Sequence, residues 1–273
     1  MVNISSEPDN LGSHAKVSTK AIVLSLLRNA KGELLSGETL AQQAHVSRVA
    51  VWKAVEGLKQ AGYPIESVEN EGYRFVRGSG PDDFLYPWEF PGREDRFFYY
   101  HSIDSTMHRA RQLAQGGTPG GAIIVAGTQT GSIARHGGRW DSQPGGLYVT
   151  LLERPYEHLS QYQKYIRTAQ SCLGSVLEKD LGLPVQYEYY PDLYVKDKKI
   201  AGIVSELHAL DERIQWMSIG IGLHVNDQTQ DKSSTSCSEL TGKEVSRKIL
   251  LQSFLIDWET HIKHWSKAPQ GET

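Results

Sequence analysis

The sequence predicts an α+β fold in two parts: a small helical module closed by a β-hairpin, then a mixed β-sheet with helices packed over it. Three observations predict it. Helical periodicity with recurrent serine caps fills residues 18–61 and gives way to two short extended runs around a turn. Residues 78–83, Gly-Ser-Gly-Pro-Asp-Asp, have linker composition. From about Phe84, short apolar runs alternate with helical stretches and glycine-rich turns, the pattern of a sheet with covering helices. The 273 residues, 39% hydrophobic and 22% charged, suit a globular chain of two domains.

The first module reads element by element. Thr19–Asn29 is an apolar-periodic helix. Ser36 caps a second helix, Gly37–Ala44, because its hydroxyl can accept from an orphan N–H of the first turn. His45-Val46-Ser47 breaks the pattern, and Ser47 caps a third helix from Arg48 to about Ala61, which Gly62 terminates. Val51, Val55 and Leu58 put one face of that helix toward a core. The extended runs Ile65–Val68 and Tyr73–Val76 flank the turn Asn70-Glu71-Gly72 and form a wing. Three helices with a tight second-to-third turn and a hairpin make a winged helix-turn-helix. The expected boundaries are a flexible arm at residues 1–17, this DNA-binding domain at 18–77, a linker at 78–83 and a second domain at 84–273.

The net charge of −3 excludes nucleic-acid binding by bulk charge. Residues 18–77 carry eight Lys and Arg against six Asp and Glu, a mild local excess. Ser47, Arg48, Trp52, Lys53, Lys59 and Arg74 are the expected contacts to a double-stranded DNA operator, with the third helix entering the major groove by its N-terminus. Glu66, Glu69 and Glu71 in the wing oppose phosphate. Weak, salt-sensitive binding by one chain favours a homodimer on a two-fold operator.

In the second module Phe97–Tyr100, Ala122–Gly127, Leu147–Leu152 and Trp216–Leu223 read as strands. Val185–Tyr190 and Lys199–His208 flank an expected turn at Asp192–Lys198. Helices are expected after Asp104-Ser105-Thr106 to about Ala114, over Gln161–Lys179 and over Ile249–Lys263. The stretch Gln129 to Trp140, rich in glycine and small residues, suggests a loop ordered by ligand.

Five segments then occur in a characteristic order: Asp104-Ser105-Thr106; Gln129 to Trp140; Pro144-Gly145-Gly146-Leu147-Tyr148; Lys199-Ile200-Ala201-Gly202-Ile203-Val204-Ser205-Glu206; and Gly220-Ile221-Gly222-Leu223-His224-Val225-Asn226. Behind a winged helix, they make the chain resemble the bifunctional biotin protein ligases that double as biotin operon repressors, from Ser18 to about Lys267. The resemblance implies a biotin/lipoate ligase-like mixed sheet with packed helices. It implies ligand contacts at Ser105, Thr106, Gln129, Arg135, Gly137, Trp140, Lys199 and Gly202. Ser105, Thr106 and Gln129 would bond the ureido head of biotin, and its apolar body would pack on Trp140 and the Gly202-Ile203 strand. Capping of the following helix by Ser105 and Thr106 is the plainer alternative.

The chain departs from the family pattern in several places. Ser132-Ile133-Ala134 replaces Gly-Arg-Gly, Gly138 replaces an arginine, Met107 stands where Asn is common, and His224 interrupts the last motif. Glu188-Tyr189-Tyr190-Pro191-Asp192 replaces Lys-Trp-Pro-Asn-Asp. Since the chain stops at Thr273, the family's small C-terminal SH3-like domain is expected to be absent. Fusing a carboxylate to the α-phosphate of ATP brings two anions together. A charge reversed at about 4 Å, at an effective dielectric near 20, swings the balance by roughly 8 kcal/mol, about five to six decades in rate. Glu188 at the lysine position therefore predicts no catalytic residue there and makes ATP use doubtful, with Lys196 or Lys198 as candidate substitutes. Met107, Tyr189 and Tyr190 could reshape the cavity for another small acid.

The expected function is a DNA-binding transcriptional regulator whose ligase-like domain senses biotin or a biotin-like effector without ligase activity. The alternative is an active ATP-dependent biotin ligase and repressor that biotinylates a carrier protein; a plain dimerising domain is the third option. His101, His108 and His136 lack metal spacing, so no metal is expected. Asp82-Asp83 reads as solvated linker, and Ser171 lacks a hydrolase motif. Cys172 and Cys237 form no CxxC. With no apolar run of spanning length and no basic or apolar leader at the N-terminus, a cytoplasmic location without membrane contact is expected.

Overall fold

A computed structural model describes residues 17–76, 83–132, 134, 138–229 and 231–267, with side chains of the final helix to Lys263. The chain forms two compact units. One holds the described residues up to 76 together with 90–95, and the other holds 83–89 and residues from 96 onward. Residues 90–95, expected on the far side of the linker, thus pack with the first unit. Phe90 is fully buried and Glu94 Oε1 accepts the Ser18 N–H at 3.0 Å.

The first unit contains helices α1 (Thr19–Asn29), α2 (Gly37–Ala44) and α3 (Arg48–Gln60) and strands β1 (Ile65–Val68) and β2 (Gly72–Phe75). Each helix opens on a serine whose hydroxyl accepts a first-turn N–H: Ser18 from Ala21, Ser36 from Thr39 and Ser47 from Ala50. Such a cap is worth ~1 kcal/mol. His45 takes φ +53° at the end of α2, which turns the chain back within two residues to the cap of α3. Val23, Leu24, Leu27, Leu40, Val51, Val55 and Leu58 close the core. The wing is tied down at its base: Leu35 and Tyr73 exchange backbone hydrogen bonds at 2.9 Å. Gly72, at φ +143°, lies so near Leu35 O that a Cβ would come within 2.2 Å of it.

The second unit is a seven-stranded sheet in the order β3-β4-β5-β9-β8-β7-β6. The strands are β3 (Phe97–Ile103), β4 (Ala122–Gln129), β5 (Leu147–Glu153), β6 (Val185–Gln186), β7 (Leu193–Val195), β8 (Lys198–Leu210) and β9 (Arg213–Leu223). Among these described strands only β3 and β4 pair in parallel. The helices are α4 (Thr106–Gln115), α5 (Tyr162–Leu181), α6 (Cys237–Thr241) and α7 (Arg247–Lys267). Ala110 and Ala114 of α4 bury against Ala122, Ile124, Leu152 and Trp216. The alternate residues Ile123 and Leu151 face a cavity shared with Leu255 and Trp258 of α7, so α4 and α7 cover opposite faces, as a period of two requires.

Three expectations are corrected. The turn expected at Asp192–Lys198 contains β7, because Leu193 and Val195 are both buried and pair with β8. The strand expected over Val185–Tyr190 ends at Gln186. Asp83 is no solvated linker residue. It accepts from Arg247 Nε at 2.6 Å, from Ser246 Oγ at 3.1 Å and from the Lys248 N–H at 2.9 Å, and so anchors the start of α7. The short helix α6 was not foreseen.

Candidate functional site

The β8–β9 register creates the site. Gly202 lies directly opposite Gly222, and Val204 opposite Gly220, while β5 places Tyr148 beside Gly222 and Thr150 beside Gly220. Three residues without side chains therefore fall together on the α4 face of the sheet. Trp140 lies flat on the bare pair. A Cβ on Gly202 or Gly222 would come within 2.6 Å of its ring, and one on Gly220 within 2.7 Å of Met107 Sδ.

A cavity of about 190 Å³ opens over this floor, lined at its polar positions by Ser105, Thr106, Gln129, Asp192 and Lys199. Its polar groups form two clusters, one at each glycine level. Those levels lie two residues apart along the strands, roughly 7 Å. At the Gly220 level, Thr106 donates its N–H and its hydroxyl to Gln129 Oε1 at 2.9 and 3.0 Å. Thr150 Oγ1 donates to Thr106 Oγ1 at 2.9 Å, and Gln129 Nε2 donates to Ser142 Oγ at 3.1 Å. Ser105 caps α4 by accepting from the His108 N–H at 3.4 Å. Its own hydroxyl proton stays available, as does the second proton of Gln129 Nε2. Capping and cavity lining are thus the same arrangement rather than rivals.

At the Gly202–Gly222 level, Lys199 Nζ meets Asp192 Oδ2 at 2.6 Å and sits 5.2 Å from the Trp140 ring centre. Asp192 is 2% exposed, and its Oδ1 accepts the Ile203 N–H at 3.2 Å. Trp140 also stacks on His224, whose ring lies 4.7 Å away at 23°. His224 Nδ1 is 2.5 Å from the buried Asp227 Oδ2. Ser132, one of the departures from the family pattern, holds Trp140 from the loop side by bonding both its N–H and its carbonyl. Among the described residues the buried Trp140 Nε1 proton has no partner. Burial pushes the nearby Cys237 thiol up to about 12, so it stays protonated and chemically quiet.

Six of the eight expected ligand residues, Ser105, Thr106, Gln129, Trp140, Lys199 and Gly202, line this one cavity. Arg135 and Gly137 lie outside the described residues. Glu188 is exposed and does not line the cavity. Among the described residues the cation lining the cavity is Lys199. Lys196 is exposed at the β7–β8 turn, and Lys198 pairs with Glu239 at 3.5 Å; neither lines it. Met107 lines it as expected, whereas Tyr190 lines an adjoining cleft and Tyr189 is exposed against Tyr194. Sequence reasoning missed Ser142, Thr150 and Asp227. Among the described residues, no three His, Cys, Asp or Glu side chains are grouped to hold a metal, and no helix is long and apolar enough to cross a membrane.

The second candidate surface is α3. Ser47, Arg48, Trp52 and Lys53 are exposed. Lys59 instead bonds Glu56 Oε1 at 3.4 Å and Ser67 Oγ at 3.3 Å, and Arg74 in the wing pairs with Glu66 at 2.7 Å.

Comparison with known proteins agrees with both units. Residues 11–74 match an HTH domain, and residues 99–224 match the biotin/lipoate A/B protein ligase family. The chain is 28% identical over 253 residues to the bifunctional ligase/repressor BirA of Bacillus subtilis, covering 89% of this chain and 78% of that protein. It is 26% identical over 229 residues to BirA of Escherichia coli, covering 81% and 68%. Among solved structures, a biotin protein ligase from Aquifex aeolicus in complex with biotin and ATP is similar at 27% identity and a TM-score of 0.54, over 63% of this chain and 72% of that one.

Proposed function

We propose, for a chain that belongs to the bifunctional biotin protein ligase/repressor family, that the second unit binds biotin and joins it to ATP, and that the first unit binds an operator in response. The observation that carries this reading is the pairing, in one cavity, of a neutral hydrogen-bonding cluster with a lysine held by a buried aspartate. A ureido carbonyl suits the Ser105 hydroxyl, and a ureido oxygen or N–H suits the Gln129 amide and the Thr106 hydroxyl. The bare glycine floor, Met107 and Val204 suit an apolar bicyclic body. One level along the strands, Lys199 suits the carboxylate of the side chain.

The chemistry follows from those positions. A carboxylate oxygen attacks the α-phosphorus of ATP, a P–O bond forms and pyrophosphate leaves. Charge builds on the phosphate oxygens as this happens, and a lysine fixed in place stabilises it without reorganising. Asp192 acts as a positioning residue: it holds Lys199 Nζ and is itself held by the Ile203 N–H. An amine of a carrier protein then displaces AMP from the mixed anhydride. Ligand binding that favours a homodimer on a two-fold operator needs only a few kcal/mol of differential affinity.

A second reading is a domain that binds biotin as effector without catalysis. The loop sequence favours it, since Ser132-Ile133-Ala134 and Gly138 lack cations that the family pattern carries. The test incubates the full-length protein with biotin and ATP and follows pyrophosphate release and biotinyl-adenylate by mass spectrometry. Product that disappears in Lys199→Met supports the ligase reading. Biotin raising the melting temperature in a concentration-dependent manner, with no product, leaves the effector reading in its place.

A further inference from the structure

The outward face of α3 holds side chains that neither the core nor phosphate binding explains. Val49 is 62% exposed and Trp52 is 54% exposed. The inward face of the helix is already complete with Val51, Ala54, Val55 and Leu58, so Val49 and Trp52 are not core residues left over. They stand three positions apart, hence on one side of the helix. Arg48 and Lys53 border them, both exposed and without a hydrogen bond or ion pair among the described residues. Two bulky apolar groups rimmed by unengaged cations form a surface for an anionic partner that carries apolar spots.

The edges of DNA in the major groove narrow the choice. Guanine, adenine and cytosine present donors and acceptors there, and thymine alone adds a 5-methyl group. Valine has no hydrogen-bonding atom, and tryptophan has a single donor. Valine cannot read a donor–acceptor code and a lone indole donor cannot complete a bidentate base contact, but both can bury a methyl group. We propose that Val49 and Trp52 read thymine 5-methyl groups in the major groove, with Arg48 and Lys53 taking the flanking phosphates. This rests on the operator-binding reading above.

The test starts from a random duplex library selected on the full-length protein with biotin and ATP present. The enriched duplex is then resynthesised with deoxyuridine at one thymine at a time, which keeps every hydrogen-bonding atom and removes only the methyl. One buried methyl is worth ~0.8 kcal/mol, or about fourfold in affinity. The expected result is a loss of about fourfold at each of one or two thymines, about tenfold or more for two together, and no change elsewhere. A Val49→Ala/Trp52→Ala variant should bind thymine and uracil duplexes equally while still binding DNA. Equal binding of the two duplexes at every position overturns the inference and leaves the operator reading standing; that comparison uses the unaltered protein and does not depend on how a variant folds. A variant that keeps the thymine preference but changes sedimentation mass also overturns it, and makes the face a protein interface. Failure to enrich any duplex overturns the operator reading and this inference with it.

Discussion

Lys199 Nζ and Asp192 Oδ2 lie 2.6 Å apart, joining a side chain 27% exposed to one 2% exposed. The strand pairing brings them together. Asp192 directly precedes β7, Lys199 is the second residue of β8, and the two strands are antiparallel neighbours joined by a tight turn. The lysine keeps access to the cavity while its partner stays dry.

Replacing Lys199 by Met leaves the buried Asp192 carboxylate without its cation. Stranding a buried charge costs about 3–5 kcal/mol in general, and the partial exposure of this pair reduces that to about 2. Denaturant unfolding should show that loss, and calorimetry should show biotin affinity falling at least tenfold. Adding Asp192→Asn should restore most of the stability and none of the affinity, which separates folding from binding.

Gly222→Ala tests the glycine floor. Its Cβ would stand 2.6 Å from Trp140 Cε2 and Nε1, so the indole must lift and lose its stack on His224. Overpacking of this kind costs ~1–3 kcal/mol. Tryptophan emission should shift to the red as the ring meets water, and biotin affinity should fall at least tenfold.

The parts of this architecture that rest on local chemistry were legible in the sequence. Serine caps placed α2 and α3 correctly, and the alternation of apolar residues found the central strands. The β7 segment was hidden because three residues beside an Asp and a Lys look like a turn, and only pairing with β8 makes them a strand. What Glu188 faces was hidden for a similar reason. A motif position says which residue replaced which, but not that the polypeptide there faces solvent, nor that Lys199, far from Trp140 in sequence, would hold the cavity's charge. Asp192 could have been weighted more, since it alone persisted in its motif. Thr150 and Ser142 carry no sequence signal, because cross-strand register alone brings them to Thr106 and Gln129.

The exposed face of α3 and the wing make different electrostatic contributions. Among the described residues Arg48 and Lys53 make no ion pair, whereas Lys59 and Arg74 are partly neutralised by Glu56 and Glu66. Each phosphate left without its cation reduces the slope of log affinity against log salt by about 0.9. Arg48→Ala and Lys53→Ala should each flatten the slope by about that amount in a fluorescence-anisotropy titration. Lys59→Ala and Arg74→Ala should change it by less than half as much.

Glu153 makes stability depend on pH. It ends β5 beneath α7, where burial pushes its carboxyl from an ordinary 4.5 up to about 7, against the opposing pull of the Trp258 N–H at 3.2 Å and of Arg96; Glu259 adds to the rise. The unfolded chain loses this proton near the ordinary value, and the folded chain keeps it to about 7. The extra bound proton stabilises the fold fully below pH 4.5, and the advantage fades as pH rises to about 7. The total available is roughly 3 kcal/mol, on top of whatever other groups contribute. Urea unfolding at half-unit steps from pH 4.5 to 8 should show stability declining over that window in the unaltered protein. In Glu153→Gln, which keeps an oxygen for Trp258 and cannot ionise, the decline should be smaller by that amount, and the variant should be the more stable protein at pH 8. An unchanged slope would place the titrating group elsewhere.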